Sequence, residues 1–565
     1  MMNLSQQQQR QRNVAALFGA LAAIVACLFA NLGAFGLAGP DEPRYAWIAR
    51  AMAQTGDWIT PRLYGQPWFE KPVLYYWAAA AGFHMHLSAE WAARLPSSFA
   101  ALAAALALAW LALRHYGVAE GFTRSAALLA PLVFSASVAA IGFARAATPD
   151  MLFTGTLALA MASAAGVLRH ARALRAAGEH SAPSADAPRE RHSDYFAIAF
   201  FGFWLGLAVL AKGPAAVILA GGALAFWALA TRQWRAALRL AHPLGIAIFC
   251  VVALPWYVVC ALRNPTFLRV FILQHNFERY LTPLFMHRQP FWFFGPIVVL
   301  AVLPWTIFLW PVAKGGLQMW RERSWANSPG FFFACWAAFP IVFFSFSESK
   351  LPGYILPSIP PLALLCSIAA ARAVSRSRTL ALLLGAGLGI SWIILAGAGW
   401  HRLRHAMASS QPGAPEWGVG LAAGVLLLCA ILLAAAARQD FPALVAVNTC
   451  AVAMVVVCAG IYFLPRMDAA LSARPYAEFF SNDLRPDRVF IYKVPRAMDY
   501  GLAFYARRVL PQWSPADPSA ALVITTPAGF AEIEQLGRFH GSLDEPFSRA
   551  MFVPIAPEPQ KGDRP

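Results

Sequence analysis

The sequence predicts an all-α polytopic membrane protein of about 13 transmembrane helices, with interfacial helices in the first outer loop and a small α/β domain at the C-terminal end. Three observations carry this reading. Charged residues make up 13% of the chain and hydrophobic residues 59%, whereas about a quarter of a soluble domain is charged. Apolar runs approaching the roughly 20 residues needed to cross a bilayer recur along residues 1–465. Lys and Arg collect in alternate loops, as they do on the cytoplasmic side of membrane proteins.

The expected spans are 14–38, 94–113, 122–142, 148–168, 194–211, 213–231, 241–262, 290–313, 329–346, 352–372, 379–399, 415–437 and 440–464. The first is too long for a signal-peptide core and lacks a clear cleavage site, so it reads as a retained span. Arg114, Arg169–Arg191, Arg232–Arg239, Lys314–Arg323 and Arg372–Arg378 mark the cytoplasmic loops. The alternate loops, 39–93, 143–148, 212–213, 263–289, 347–351 and 400–414, then face outward, and so does the tail 466–565. In loop 39–93, Tyr45, Ile48 and Met52 stand at helical spacing and a second apolar stretch covers 72–83. With Trp47, Trp58, Trp68, Trp77 and Trp91, they read as amphipathic helices in the membrane interface. The tail carries strand-like runs at Val489–Val494 and Ala521–Thr525, read as a separate soluble domain. Residues 176–192 read as a linker.

The net charge is +17. Cytoplasmic Lys and Arg, together with an anionic lipid substrate, account for it without nucleic acid, for which there is no motif. Eight cysteines lie in or beside apolar segments, none in the tail after Pro465 and none as a CxxC pair. Neither a disulfide framework nor a zinc knuckle is indicated.

Ionisable residues gather on the predicted outer side. Asp41 and Glu42 follow the first span, with Pro43 and Arg44 next. Asp41 suits a helix N-cap and equally an acid that orients an acceptor or pairs with a cationic sugar. Glu70 and Lys71 lie among aromatics. Lys71 suits snorkelling to the interface, or the stabilisation of a lipid phosphate as it departs, a task Arg44 and Arg62 also fit. Asp150 heads a span near Arg145, and Lys212 lies between two apolar segments, a depth at which a lysine needs a partner. His275 and Glu278 stand at i, i+3 and join Glu70 as candidate metal ligands, although a polar interfacial helix is the stronger reading of that stretch. Glu348 and Lys350 share a short outer turn. No cofactor is required by this pattern, and a divalent metal stays open.

At these residues the chain resembles a known family. DEPRYAWIARAM, TGDWITPRLYGQPWFEKPVLYYW, EWAARLPS, RAATPDM, LAKGP, HNFERY and SESKLPGYILPSIPPLALL, in order over 39–361, resemble the bacterial protein mannosyltransferase-like glycosyltransferases of GT-C fold. The resemblance implies transfer of a sugar, 4-amino-4-deoxy-L-arabinose in the first instance, from undecaprenyl phosphate to a lipid A phosphate at the periplasmic face of the inner membrane. It implies catalytic roles for Asp41, Lys71 and Asp150. Lys212 is carried over with them, and substrate contacts are also expected from Glu42, Arg44, Tyr45, Arg62, Glu70, Lys212, Arg279, Glu348 and Lys350. Where the family carries KPP, this chain has Lys71, Pro72 and Val73, a departure that leaves the chemistry alone. The alternatives are transfer of another sugar to lipopolysaccharide or protein and, in a different class, a lipid or sugar transporter. The absence of a clear internal repeat argues against the last.

Overall fold

The computed structural model describes residues 4–115, 121–177, 187–278, 288–328, 330–407, 414–483, 489–515, 521–536, 539 and 551–555. Every expected span contains helix, but 14–38, 122–142 and 290–313 are not continuous helices. Eight described helices are long and apolar enough to cross a membrane: Ala89–Arg114, Pro149–Arg169, Asp194–Lys212, Pro243–Arg263, Pro352–Arg376, Arg378–His401, Val419–Ala437 and Phe441–Phe463. Three others, Val14–Phe29, Ala215–Thr231 and Gly330–Ser345, are apolar but shorter. The chain is therefore a multi-pass membrane protein. Small residues let its helices approach closely. A Cβ at Gly155 would stand 2.9 Å from the carbonyl carbon of Ala100, and one at Gly202 equally close to that of Gly245.

Three expected spans are corrected. The segment 122–142 is a pair of helices, Phe122–Ser135 and Val138–Ala144, bent by 54°. Helix α1 (Leu4–Phe29) stops well short of residue 38. The irregular stretch beyond it is held by two arginines, Arg94 buried and Arg145 half-buried. Arg94 donates to the carbonyls of Leu32 (2.6 Å), Phe35 (2.9 Å) and Gly36 (2.8 Å), and Arg145 donates to those of Ala30 and Asn31. Non-helical backbone at this depth is tolerated only when its polar groups find such partners. The segment 290–313 is a pair of helices, Phe291–Ala301 and Trp305–Arg321, bent by 112° around Pro304. Proline breaks the run, and the residue before it disfavours helix.

The first outer loop folds into helix α2 (Asp41–Thr55), a two-residue hairpin of β1 (Arg62–Leu63) and β2 (Gln66–Pro67), and helix α3 (Leu74–His84). Tyr64 (φ 53°) and Gly65 (φ 81°) form the turn, the paired positive φ values that match hairpin twist. Tyr45, Ile48 and Met52 of α2 and Tyr75 and Tyr76 of α3 are buried, so this face packs on protein rather than on lipid. The next helix, α4 (Ala89–His115), carries Arg94.

The described residues of the tail form helices and strands. Strands β3 (Val489–Tyr492), β4 (Ala521–Thr525) and β5 (Met551–Ile555) form one sheet in that order, the first pair parallel and the second antiparallel. β5 was not anticipated. The tail docks on the first loop: Asp468 accepts from the Gly36 amide (2.8 Å), the Leu37 amide donates to the Tyr505 hydroxyl (2.6 Å), and Arg474 pairs with Glu90 (3.2 Å).

Candidate active site

Helix α2 begins at Asp41, with Pro40 at its N-cap position and no side-chain capping bond. The expectation that Asp41 caps the helix is therefore corrected, because its carboxylate is turned to Arg44, one turn on. Arg44 Nη2 lies 2.6 Å from Asp41 Oδ1 and 3.0 Å from Glu70 Oε2, and Glu70 Oε1 lies 3.5 Å from Lys71 Nζ. The hairpin and Pro72 bring Glu70 and Lys71 back over α2. Acid and base thus alternate from Asp41 through Arg44 and Glu70 to Lys71. Trp68, Tyr45 and, from the tail, Tyr500 surround the guanidinium, their ring centres 5.6, 5.1 and 5.9 Å from its carbon. Such faces stabilise a cation.

The second element of the site comes from the membrane helices. Pro149 starts helix Pro149–Ala177 and sets Asp150 in its first turn. Lys212 is the last residue of helix Ala187–Lys212, which ends at Gly213 (φ 84°). Lys212 Nζ bonds Asp150 Oδ1, with the rings of Phe153 and Tyr354 at 5.5 and 5.3 Å. The lysine expected to need a partner has one.

Asp41 is the exposed carboxylate of the constellation, with 54% of its side chain open, against 11% for Glu70. Burial of its surroundings raises its pKa from the ordinary carboxylate value, Glu70 and Asp150 add to the rise, and Arg44 and Lys71 oppose it. Lys71 and Asp150 thus both act on Asp41, which makes the two elements one electrostatic site. Burial opposes the charge of Arg44, but Glu70, Tyr45, Asp41 and Tyr76 outweigh it and raise its pKa, keeping it charged. Tyr45 and Tyr76, buried beside Glu70, are pushed well above the normal phenol value.

The other expected residues are distributed differently. Glu42 is 6% exposed. Its two oxygens accept from Arg94 (3.2 and 2.7 Å) and from the amides of Ala147 (2.6 Å) and Ala38 (2.7 Å). That corrects the expectation of a substrate contact to one of a buried clamp beneath the site. Arg62 faces Asp57 (3.6 Å) and the Gly65 carbonyl. Glu348 pairs with Arg288 (3.1 Å) at the surface, and buried Lys350 donates to the carbonyls of Gln289 (2.9 Å) and Ser347 (2.6 Å). Their segment reaches the site through Tyr354. Arg279 lies outside the described residues. His275 sits in the helical segment Arg269–Glu278, and among the described residues no three His, Cys, Asp or Glu side chains converge to hold a metal. Arg94 and Tyr500 were missed. An arginine inside an apolar helix was the available signal for Arg94, and nothing local marks Tyr500.

The profile of the dolichyl-phosphate-mannose-protein mannosyltransferase family matches residues 13–271. An undecaprenyl phosphate-alpha-4-amino-4-deoxy-L-arabinose arabinosyl transferase of Erwinia tasmaniensis is 32% identical over 327 residues, 58% of this chain and 54% of that protein. One of Serratia proteamaculans is 31% identical over 370 residues, 64% and 61% of the two chains. The matched part thus spans between a half and two thirds of these relatives. The crystal structure of ArnT from Cupriavidus metallidurans bound to undecaprenyl phosphate aligns with a TM-score of 0.72 at 24% identity, covering 96% of this chain and 98% of that one. The apo structure of the same protein gives 0.70 at 22%, covering 97% and 98%. The fold is that of ArnT, and over residues 13–271 the chain is similar to the dolichyl-phosphate-mannose-protein mannosyltransferase family, as its motifs indicated.

Proposed function

We propose that this protein transfers 4-amino-4-deoxy-L-arabinose from undecaprenyl phosphate to a lipid A phosphate at the periplasmic face of the bacterial inner membrane. The observation that carries the reading is the joined set of Asp41, Arg44, Glu70 and Lys71 with Asp150 and Lys212, on a fold shared with a protein crystallised with undecaprenyl phosphate. The names of the curated relatives supply the sugar.

In this mechanism a lipid A phosphate oxygen attacks the anomeric carbon. The bond from that carbon to the undecaprenyl phosphate oxygen breaks on the opposite face, so the configuration inverts in a single displacement. The departing phosphate takes the electron pair, and Lys71, with Arg44 or Lys212, neutralises it as it forms. Fixed cations aimed at developing charge are the strongest general source of catalysis. The attacking phosphate is already anionic and needs little deprotonation. Asp41 therefore positions it or binds the sugar ammonium, rather than acting as a strong base. Asp150 keeps Lys212 oriented, and Tyr45 and Glu70 hold Arg44. No step requires a cofactor.

The test is mass spectrometry of lipid A from a strain lacking its own aminoarabinose transferase, with and without this gene. An added mass of aminoarabinose, with restored polymyxin resistance, supports donor and acceptor together. No addition, with the protein present in the membrane, overturns the assignment of this sugar and acceptor.

A further inference from the structure

A cavity lies at the end of the bundle away from the candidate active site. Its volume is about 780 Å³, between the helix Leu309–Arg321, the helix Gly330–Ser345 and the end of Ile359–Arg376. The segment Pro352–Arg376 fixes its distance from the candidate active site. Gly353 abuts Asp150, while Arg372 and Arg376 line the cavity. At about 2 Å per residue of the 3-10 turn Pro352–Ser358 and 1.5 Å per residue of the helix after it, Arg372 and Arg376 lie roughly 31–37 Å along the segment from Gly353, comparable to the ~30 Å hydrocarbon core of a bilayer.

The lining is basic at one end and apolar at the other. Lys314, Arg372 and Arg376 face it with Glu322 as the one lining acid, and Glu322 accepts from Gln318 (2.8 Å). Arg372 donates to Thr123 (3.3 Å), and Lys314 lies 5.3 Å from the Trp310 ring centre. Among the described residues none of the three cations pairs with a carboxylate. Phe331, Leu365, Ile368 and Leu380 form the apolar end. The helix Leu309–Arg321 is sharply turned from its predecessor. It keeps Trp310, Leu317 and Trp320 exposed beside Lys314 and Arg321, the arrangement of a helix lying in a membrane interface.

We propose that this cavity binds an anionic phospholipid from the leaflet on that side, its phosphate held by Lys314, Arg372 and Arg376 and its acyl chains laid along the apolar end. Charge complementarity selects an anionic headgroup. The opening of the cavity beside an amphipathic helix at membrane depth selects a lipid over a soluble anion. The inference does not depend on which sugar the chain transfers.

The full-length chain, purified in a neutral detergent, provides the test. Phosphatidylglycerol should raise its melting temperature saturably, while phosphatidylcholine and glycerol 3-phosphate should not. The combined variant Lys314→Gln, Arg372→Gln, Arg376→Gln should need at least tenfold more phosphatidylglycerol for half-saturation. A photoactivatable phosphatidylglycerol should crosslink to peptides within 310–331 and 365–380 of the unaltered chain, a readout that stands even where the variant does not fold. Unchanged half-saturation in a folded variant, an equal response to glycerol 3-phosphate, or crosslinks confined elsewhere would each overturn the proposal.

Discussion

Adjacent acids, Asp41 and Glu42, are expected to fail in opposite ways. In Glu42→Gln the new amide nitrogen faces two donors, and the buried Arg94, 1% exposed, loses its counter-charge. Breaking a buried ion pair from one side costs about 3–5 kcal/mol. In Asp41→Asn the loss is one i, i+3 pair to a carboxylate that is 54% exposed, about 0.5 kcal/mol or less. The two variants should therefore differ by about 3 kcal/mol, roughly a hundredfold in the folded-to-unfolded ratio. Thermal unfolding of the purified proteins reads this directly: Glu42→Gln melts early, Asp41→Asn like the parent. Transfer of aminoarabinose to lipid A, followed by mass spectrometry at equal protein, should fall at least about a hundredfold in Asp41→Asn, the scale of a lost positioning contact. Parental transfer by Asp41→Asn would remove Asp41 from the mechanism. A melting temperature as low as that of Glu42→Gln would refute the division into an exposed reactive acid and a buried structural one.

Lys212→Met leaves Asp150 without its cation and should cost about 3 kcal/mol. Adding Asp150→Leu should recover most of the melting temperature and none of the transfer. Tyr500→Ala removes a ring face from Arg44, about 0.5–1 kcal/mol, and should lower kcat/KM by about two- to fivefold, whereas Tyr500→Phe should not. Because the Asp41 carboxyl titrates above its ordinary value, and the mechanism uses the carboxylate, activity should fall on acidification through that raised pKa. Arg44→Gln removes a cation that favours the carboxylate, so in pH–rate profiles the acid limb of its residual activity should move to higher pH.

Much of this architecture is legible in the sequence, because hydropathy, loop charge and aromatic placement are local signals. Tyr45, Ile48 and Met52 announced α2, and the break at Gly213 and Pro214 placed Lys212 at a helix end. What escaped depends on partners remote in the chain. Arg94 replaces the missing helical bonds of residues 32–36 from about sixty positions away, so residues as apolar as those of a span leave the helix early. Hydropathy alone reads 305–313 as a continuation of the preceding helix, and only Pro304 hints otherwise. The pairing of Asp41 with Arg44 rather than with its own helix amides follows from the position of Glu70, which the hairpin decides. Tyr500 reaches Arg44 because the tail docks, a contact with no local trace.

That docking makes the tail part of the site, and Asp468 is where this can be tested. The carboxylate is 6% exposed and accepts from the Gly36 amide (2.8 Å), the Ser472 hydroxyl (2.6 Å) and Arg474 (2.8 and 2.6 Å). It therefore ties the irregular stretch after α1 to the tail. Asp468→Asn strips the charge from this junction at about 3 kcal/mol. The loss should appear as faster hydrogen exchange in the helix Arg496–Ala506, which carries Tyr500 and Tyr505, and at the Leu37 amide that Tyr505 accepts from. Transfer should decline with it, because Tyr500 then leaves Arg44 unattended. Lys493→Ala is the control: its pair with Glu532 is 55% and 44% exposed and screened by solvent, so neither readout should move. If exchange in 496–506 and at Leu37 is unchanged in Asp468→Asn while transfer is lost, Asp468 acts on the site by some route other than docking the tail. If both are unchanged, the junction does not hold the tail in place.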